Sequence, residues 1–152
     1  MLHAGLATIG QNALMKRATA EPANHCPCGA AAIYAQCCGR WHAGEAAPDA
    51  EKLMRSRYVA YAMKLDDYVL ATWHASSRPV ALHAETASEK SAPPNFIRLE
   101  VKNHSITGVD TASVEFVAWY KSGGRAFRLH EISRFICENG RWWYVDGKVS
   151  DH

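Results

Sequence analysis

The sequence lacks three features that would place it in a broad functional class. Its 152 residues contain no apolar run close to the roughly 18 residues that a membrane-spanning helix requires, so we expect no membrane partner. The amino terminus carries neither a basic stretch nor a continuous apolar stretch, so we expect no secretory signal. A net charge of +2 is too small to hold nucleic acid by charge alone, which disfavours that partner. Together these absences predict a cytoplasmic protein.

Cysteine is also scarce outside one short segment. Four of the five cysteines lie within thirteen residues, with the spacing Cys-x-Cys-x₈-Cys-Cys, at Cys26, Cys28, Cys37 and Cys38. In the reducing cytoplasm, cysteines clustered in this way bind metal ions more often than they form disulfides. Four thiolates complete the tetrahedral shell that Zn²⁺ prefers and leave no position for water or substrate. We therefore predict a structural zinc site at these four residues.

Three other interpretations of the cluster remain open. The thiols could be buried without a metal, or two of them could form a redox-active disulfide. If Cys37 and Cys38 cannot both reach the metal, His25 or His42 could replace one of them. The fifth cysteine, Cys137, lies far away in a predicted strand and is interpreted as a core thiol.

The segment that follows the cysteines has helical periodicity. Small and polar residues dominate positions 1–24, which we predict to be a flexible tail. From Ala50 to about Leu65 the apolar residues recur every three or four positions, and Asp49 suits the N-cap. A second short helix is predicted from Asp66 to Trp73, capped by Asp66, and a third, weaker one over 76–85. The apolar stripe of the first helix comprises Met54, Tyr58, Tyr61 and Leu65.

After Pro94 the hydrophobic period changes from 3.6 residues to two, which indicates β-strands. Turn sequences at 122–124 and 138–140 separate consecutive strands, so we expect an antiparallel meander. Helices followed by such a sheet are typical of an α+β domain in which the helices cover one face of a curved sheet. The predicted strands are 96–101 with a continuation to 106, 112–121, 125–137 and 141–145.

The segment Cys26-Pro27-Cys28-Gly29…Tyr34…Cys37-Cys38-Gly39 resembles the SEC-C motif, a small zinc module named for the carboxyl terminus of the SecA translocation ATPase. Four later segments carry a second resemblance: Leu53–Tyr58, Thr72–His74, His130–Phe135 and Asn139–Gly147. These segments resemble the bacterial YchJ-like family. Together the two resemblances cover nearly everything after residue 25.

The resemblance implies zinc bound by the four clustered cysteines and a domain similar to nuclear transport factor 2, a cone of helices folded over a curved sheet. The implied organisation is the tail at 1–24, a SEC-C-like zinc knot at 25–44 and the cone domain at 45–152. One departure is clear, since typical SEC-C modules carry Ser-Gly-Lys-Lys where this chain has Ala30-Ala31-Ala32-Ile33. The loss of the lysines weakens any nucleic-acid, ribosomal or acidic-partner role but leaves metal binding unaffected.

One face of the predicted strand 125–137 places a carboxylate among apolar side chains. An unpaired charge at Glu131 would be costly there, so this residue must pair, hold a proton or face a cavity. Arg57 and His74, with Arg55, are candidate partners from the helical layer, and His130 is a further candidate from the same strand. The alternatives are a structural Arg–Glu pair, acid–base catalysis by Glu131 with one of the histidines, or a ligand cavity without chemistry.

Two functional hypotheses follow from these patterns. The leading one is a non-enzymatic protein in which the zinc knot and the cone domain together bind a macromolecular partner, expected to be a protein. The alternative is a small-molecule binder, or an enzyme of the hydrolase or isomerase type, that uses a cone pocket containing Glu131. A solvent-open pocket with Glu131 favours the alternative, whereas a sealed core with Glu131 paired to an arginine favours the partner-binding module.

Overall fold

The computed structural model describes residues 25–82 and 95–150. The predicted tail at 1–24 and the end of the predicted third helix lie outside these residues. Positions 76–82 form turns rather than a helix, so the prediction was wrong for this part of the chain. Pro79 provides no backbone N–H, and the Ser77 hydroxyl donates to the Val145 carbonyl at 2.6 Å, which ties this segment to the last strand.

Three helices precede four strands in the described part of the chain. The helices are α1 (Cys38–His42), α2 (Ala50–Met63) and α3 (Asp66–Ala71), with a 3₁₀ turn (Tyr34–Gln36) before α1. The strands are β1 (Asn95–Ile106), β2 (Thr111–Ser122), β3 (Arg125–Glu138) and β4 (Arg141–Ser150). This order confirms the predicted α+β class. Within residues 25–82 and 95–150, no helix is long and apolar enough to cross a membrane.

Both ends of α2 follow from local chemistry. Asp49 Oδ1 accepts a hydrogen bond from the backbone N–H three residues further on at 2.8 Å, which confirms the predicted N-cap. The helix ends at Met63 rather than at Leu65, because Lys64 adopts the left-handed conformation with φ of 61°. Leu65 then caps α3, so the prediction that Asp66 is the cap was wrong. Asp66 lies in the first turn, where a carboxylate is favourable to the helix dipole.

The four strands form one antiparallel sheet in the order β1-β2-β3-β4, as predicted for a meander. Two-residue loops join β2 to β3 and β3 to β4. Both residues of each loop have positive φ, 60° and 81° at Gly123 and Gly124 and 54° and 76° at Asn139 and Gly140. Successive positive φ values are typical of the type I′ turn, whose twist matches that of the flanking strands.

The helices cover one face of the sheet, and the core lies between the two layers. Leu53 and Val59 of α2 are buried there with Val114 of β2 and Phe135 of β3. The three buried thiols of the cysteine cluster belong to the same core, so the cluster continues the hydrophobic interior. Space remains between α2 and the sheet beside these residues, and it forms the cavity described below.

Candidate metal centre and candidate binding cavity

The four clustered cysteines converge on one point. The sulfur atoms of Cys26, Cys28, Cys37 and Cys38 all lie within 4.8 Å of one another, and Cys28 Sγ lies 3.7 Å from Cys37 Sγ. A tetrahedral zinc site with Zn–S bonds of about 2.3 Å has S···S edges of about 3.8 Å. All five cysteines of the chain are free thiols, so the cluster is not a disulfide pair. The donor set and its spacing therefore fit a tetrahedral thiolate-bound metal ion.

Local backbone chemistry forms the first half of the cluster. The backbone N–H of Cys26 donates to the Ala32 carbonyl at 2.8 Å, and that of Gly29 donates to the Cys26 carbonyl at 3.1 Å. Gly29 has a φ of 98°, which disfavours any side chain at this position. The resulting turn places Cys26 and Cys28 on the same side of the loop, while Cys37 and Cys38 enter at the start of α1.

The thiols influence one another's ionisation. Hydrogen bonding from Cys26 and then Cys38 lowers the pKa of Cys28, whereas burial first and the charge of Cys28 next raise the pKa of Cys37 to about 11. Hydrogen bonding with Cys26, followed by that with Cys28, raises the pKa of Cys38. One thiolate thus opposes the ionisation of its neighbours. A divalent cation at the centre would offset this repulsion and hold all four groups as thiolates.

Neither nearby histidine belongs to this group of candidate metal ligands. His42 Nε2 lies 2.9 Å from the Ser56 carbonyl oxygen, so this nitrogen carries the proton and donates. His42 Nδ1, 2.7 Å from the Tyr34 hydroxyl, then accepts. His25 forms a β-bridge with Ile33 instead. The structure brings the four cysteines together and leaves His25 and His42 outside them.

Two polar links attach the cysteine cluster to α2. Arg55 Nη1 donates to the Cys28 carbonyl at 2.8 Å while its Nε donates to Glu51 at 3.0 Å. Burial acts to lower the pKa of Arg55, but the Glu51 hydrogen bond and the charge of Cys28 outweigh it, and the pKa is raised. The second link is His42, which reaches the α2 backbone at Ser56. Metal binding in the cluster would therefore stabilise the position of α2.

We expect the His42 link to make stability depend on pH. Burial lowers the pKa of His42 from 6.5, so the imidazole is neutral in the folded chain. Its contribution is complete above the unfolded-state pKa and is lost as the pH falls through and below about 6.5. The His42→Gln variant should therefore lose less unfolding free energy than the wild type between pH 7 and pH 5, measured by urea denaturation.

The exposed His25 provides the control for this comparison. Acid also protonates thiolates and weakens metal binding, but it does so in both proteins, so the difference between their pH curves isolates the imidazole. His25→Gln should leave the wild-type curve unchanged. Parallel curves for the wild type and His42→Gln would contradict the assignment.

A second candidate site is a cavity of about 340 Å³ between α2 and the sheet. Half of its lining residues are aromatic, and its polar groups are few: the side chains of Arg57, Glu131 and Ser133 and the hydroxyls of the lining tyrosines. Cavities with apolar walls and a few convergent polar groups are typical of small-molecule sites. The aromatic lining residues are Tyr58, Tyr61, Phe96, Phe116, Phe135 and Tyr144.

Glu131 lies in the cavity wall beside its strand neighbours. Its Oε2 accepts a hydrogen bond from the Ser133 hydroxyl at 2.7 Å. The carboxylate lies directly over Gly147 of β4, since a Cβ on that glycine would overlap Oε2 and come within 2.7 Å of Cδ. The lack of a side chain at Gly147 therefore makes room for Glu131. Glu131 is half-buried, so the cavity reaches solvent on this side.

Arg57 is held mainly by the helical layer. It is only 5% exposed, and its Nη1 donates to the Val69 carbonyl and to Thr72 Oγ1, each at 2.7 Å. Its guanidinium carbon also lies 4.1 Å from the ring centroid of Tyr144 and 5.1 Å from that of Trp73. Burial lowers the pKa of Arg57, and nearby tyrosines and Glu131 oppose that effect. These contacts anchor the Arg57 charge against α3 and the aromatic rings.

The two candidate histidines lie outside the cavity. His130 Nε2 is 2.7 Å from Glu115 Oε2, on the sheet face opposite to Glu131, because neighbouring residues of a strand point to opposite faces. His74 lies 3.0 Å from Glu138 and 2.8 Å from Ser76 Oγ. The structure therefore brings Arg57 and Glu131 to one cavity and places His74 and His130 elsewhere.

Sequence reasoning missed the tyrosine wall of this cavity. Tyr58 and Tyr61 were assigned to the apolar stripe of α2, and nothing placed Tyr144 opposite them. A signal was present, since a buried tyrosine needs a partner for its hydroxyl or access to a cavity. Burial raises the pKa of Tyr58 to about 12, and it also raises the pKa values of Tyr61 and Tyr144. All three hydroxyls are therefore neutral donors at physiological pH.

Comparison with known proteins gives a consistent set of matches. The family model described as the YchJ middle NTF2-like domain matches residues 49–147. A UPF0225 protein of Xanthomonas campestris is 51% identical over 128 residues, which covers 84% of this chain and 96% of the relative. A UPF0225 protein of Methylibium petroleiphilum is 52% identical over 128 residues, covering 82% and 88%.

Two solved structures are similar as well. The solution structure of a SEC-C motif containing protein from Rhodopseudomonas palustris matches with a TM-score of 0.71 and 35% identity, and the match covers 83% of this chain and 98% of that one. The crystal structure of a SEC-C motif containing protein from Psychrobacter arcticus matches with a TM-score of 0.66 and 25% identity, over 84% and 83%.

Proposed function

The chain belongs to the YchJ-like UPF0225 family, and from that premise we propose that it binds a small molecule in the cavity of its cone domain, with a zinc knot as a structural support. The observation that carries the proposal is the cavity of about 340 Å³, with its aromatic walls and the carboxylate of Glu131. A sealed core with a hydrogen-bonded Arg–Glu pair would have favoured the macromolecular module instead. The hydrogen bonds of Arg57 to α3 and of Glu131 to Ser133 support the ligand site.

Zinc is the metal proposed for the cysteine cluster. SEC-C is a metal-binding motif, and Cys26, Cys28, Cys37 and Cys38 offer the soft donors and tetrahedral spacing that Zn²⁺ prefers. Bound there, the ion would cross-link the turn at Cys26–Cys28 to the start of α1. A shell of four thiolates leaves no position for substrate, so the metal supplies structure and no chemistry.

Ligand binding is favoured over acid–base catalysis by the contents of the cavity. Among the described residues, neither His74 nor His130 lines it, so Glu131 lacks the histidine that a two-group mechanism would use. Arg57 donates a hydrogen bond to α3 and packs against the ring of Tyr144. The hydrolase or isomerase alternative therefore has a carboxylate and tyrosine hydroxyls but no histidine in the cavity, whereas binding requires only the walls and the polar contacts already in place.

A substitution that fills the cavity should abolish binding. The neutral fluorophore N-phenyl-1-naphthylamine is a suitable probe, since its two ring systems match the aromatic walls. Leu129→Trp places a larger side chain into the cavity, and we expect probe affinity to fall by about tenfold or more, roughly 1.4 kcal/mol, in a fluorescence titration.

Ile132 of the same strand offers the matched control. It is 40% exposed and lies on the sheet face opposite to the cavity, so Ile132→Trp should retain wild-type affinity. Loss of binding in both variants, or in neither, would count against the cavity as the binding site.

The macromolecular partner expected from the sequence stays a prediction. The segment Ala30–Ile33 replaces the basic residues that would favour an acidic or nucleic-acid partner, and the knot instead packs its buried thiols into the core. Among the described residues, we therefore assign no surface to the binding of a protein partner. The supporting role of the knot for the cavity does not depend on such a partner.

A further inference from the structure

The cavity contains one acidic and one basic side chain. Glu131 and Arg57 both line it, and the phenols of Tyr58, Tyr61 and Tyr144 stay neutral because burial raises their pKa values. The two charges differ in what surrounds them. That difference determines which ligand charge the cavity accepts.

The positive charge of Arg57 is held by the end of α3 and by an aromatic ring. Its Nη1 donates twice, to Val69 and Thr72, and its guanidinium lies over the ring of Tyr144 at 4.1 Å. Cation–π contacts strengthen when the cation is shielded from water. An anionic ligand would have to displace this network to reach Arg57, which is 5% exposed.

The negative charge of Glu131 interacts electrostatically with the positive charge of Arg57, whose pKa it helps to raise, but no ion pair joins the two side chains. Its hydrogen-bond donor is the neutral hydroxyl of Ser133, which binds Oε2. An ionised carboxylate has about four acceptor positions on its two oxygens. Glu131 is half-buried at the cavity wall, so a bound group can reach it without unfolding the site.

The aromatic rings near the helix form another part of the cavity wall. The rings of Tyr58 and Phe96 lie 5.5 Å apart at an angle of 67°, and Tyr61 lies 6.5 Å from Phe96. Differently oriented rings present both faces and edges to the space they enclose. A ring face attracts an ammonium group, and an apolar ligand body packs equally well against the same walls.

We infer that the ligand is an organic cation, an amine carried on an aromatic or otherwise apolar body, whose ammonium group donates to Glu131 while its body packs against Tyr58, Tyr61 and Phe96. This inference rests on the proposed function, since it names the ligand class of the same cavity. It assigns Glu131 the role of specificity determinant.

Three probes of similar size distinguish a preference for a cationic, a neutral or an anionic ligand. Phenethylamine is a cation at pH 7, phenethyl alcohol is its neutral counterpart, and 3-phenylpropionate is an anion. We expect the full-length, metal-loaded chain to bind phenethylamine about tenfold more tightly than phenethyl alcohol, measured by chemical-shift titration. Tighter binding of 3-phenylpropionate, or equal binding of the amine and the alcohol, would overturn the inference.

Substitutions test the role of Glu131. Glu131→Gln keeps the shape and an acceptor for Ser133 but removes the charge, so the preference for the amine should fall from about tenfold to less than about twofold. Gly147→Ala should reduce the preference as well, because its Cβ would displace the flexible end of Glu131. Glu115→Gln, on the opposite sheet face beside His130, should keep the full preference.

Different results would contradict the cavity as a ligand site and the cation as its ligand. If the neutral naphthylamine and all three phenyl probes fail to bind the wild-type chain, the proposed function itself is wrong. If the naphthylamine binds but the amine shows no advantage over the alcohol, the cavity is a ligand site for a neutral molecule and only the cation assignment is wrong. Retention of the full amine preference in Glu131→Gln would also overturn that assignment.

Discussion

Replacement of Cys28 by serine is expected to abolish stoichiometric metal binding. Cys28 is fully buried, and its sulfur lies within 4.8 Å of the other three sulfurs. A serine hydroxyl is a harder and far less acidic donor than a thiol, so the site would keep three thiolates and lose its closed shell. Structural zinc sites bind with apparent free energies of about 10–16 kcal/mol, and much of this energy supports folding.

The loss should also weaken the attachment of the knot. Arg55 donates to the Cys28 carbonyl and the charge of Cys28 helps to raise the Arg55 pKa, so a disordered turn would remove a contact on α2. We expect the wild type to contain close to one zinc per chain by elemental analysis and Cys28→Ser to contain almost none. A large decrease in melting temperature should accompany the loss, and a strong chelator should produce a similar decrease in the wild type.

Cys137 supplies the matched control, because it is a half-buried free thiol on β3 outside the cluster. Cys137→Ser should keep one zinc per chain and a melting temperature close to that of the wild type. Equal metal content in Cys28→Ser and in the wild type would reject the zinc assignment. A wild-type chain that melts at the same temperature with and without chelator would reject the structural role.

The features that sequence predicted well depend on residues close together along the chain. The Cys26–Cys28 and Cys37–Cys38 pairs bring four candidate ligand sulfurs together over one short loop, and the N-cap at Asp49 requires only the next three residues. The same holds for the turns at 123–124 and 139–140, since positive φ over two residues sets the hairpin. Strand order then follows from short connections.

The contents of the cavity depend on contacts between elements that are distant along the chain. Only some of the lining residues could therefore be predicted from the sequence. The alternation of β3 placed Glu131 on the inner face. The register of β3 against β4 contains an irregularity between Arg134 and Phe135, so the strand pattern alone could not place Tyr144 or Gly147 beside the helices. Local patterns also could not show that Lys64 would end α2 in a left-handed conformation, which fixes where α3 begins.

Arg57→Ala is expected to have a large effect on stability. The side chain makes two charged hydrogen bonds at the end of α3, to Val69 and Thr72, and its guanidinium contacts the rings of Trp73 and Tyr144. Charged hydrogen bonds contribute about 1.5–3 kcal/mol each and buried cation–π contacts about 2 kcal/mol. The variant no longer pays the free-energy cost of burying the guanidinium, and this gain offsets part of the sum. We therefore expect a loss of about 3 kcal/mol in unfolding free energy, measured by urea denaturation.

Two further substitutions distinguish the stability that comes from the buried contacts of Arg57 from the stability that comes from a positive charge alone. Arg57→Lys keeps the charge but loses the planar group that stacks on Tyr144, so its stability should lie between those of the wild type and Arg57→Ala. Arg134→Ala removes an exposed arginine that forms two hydrogen bonds with Asp146, and such surface pairs contribute little. If Arg134→Ala destabilised the chain as much as Arg57→Ala, the buried contacts would not be the source of stability. Because Arg57 joins α2, α3 and β4 at the cavity wall, its loss should also weaken probe binding, whereas Arg134→Ala should leave binding unchanged.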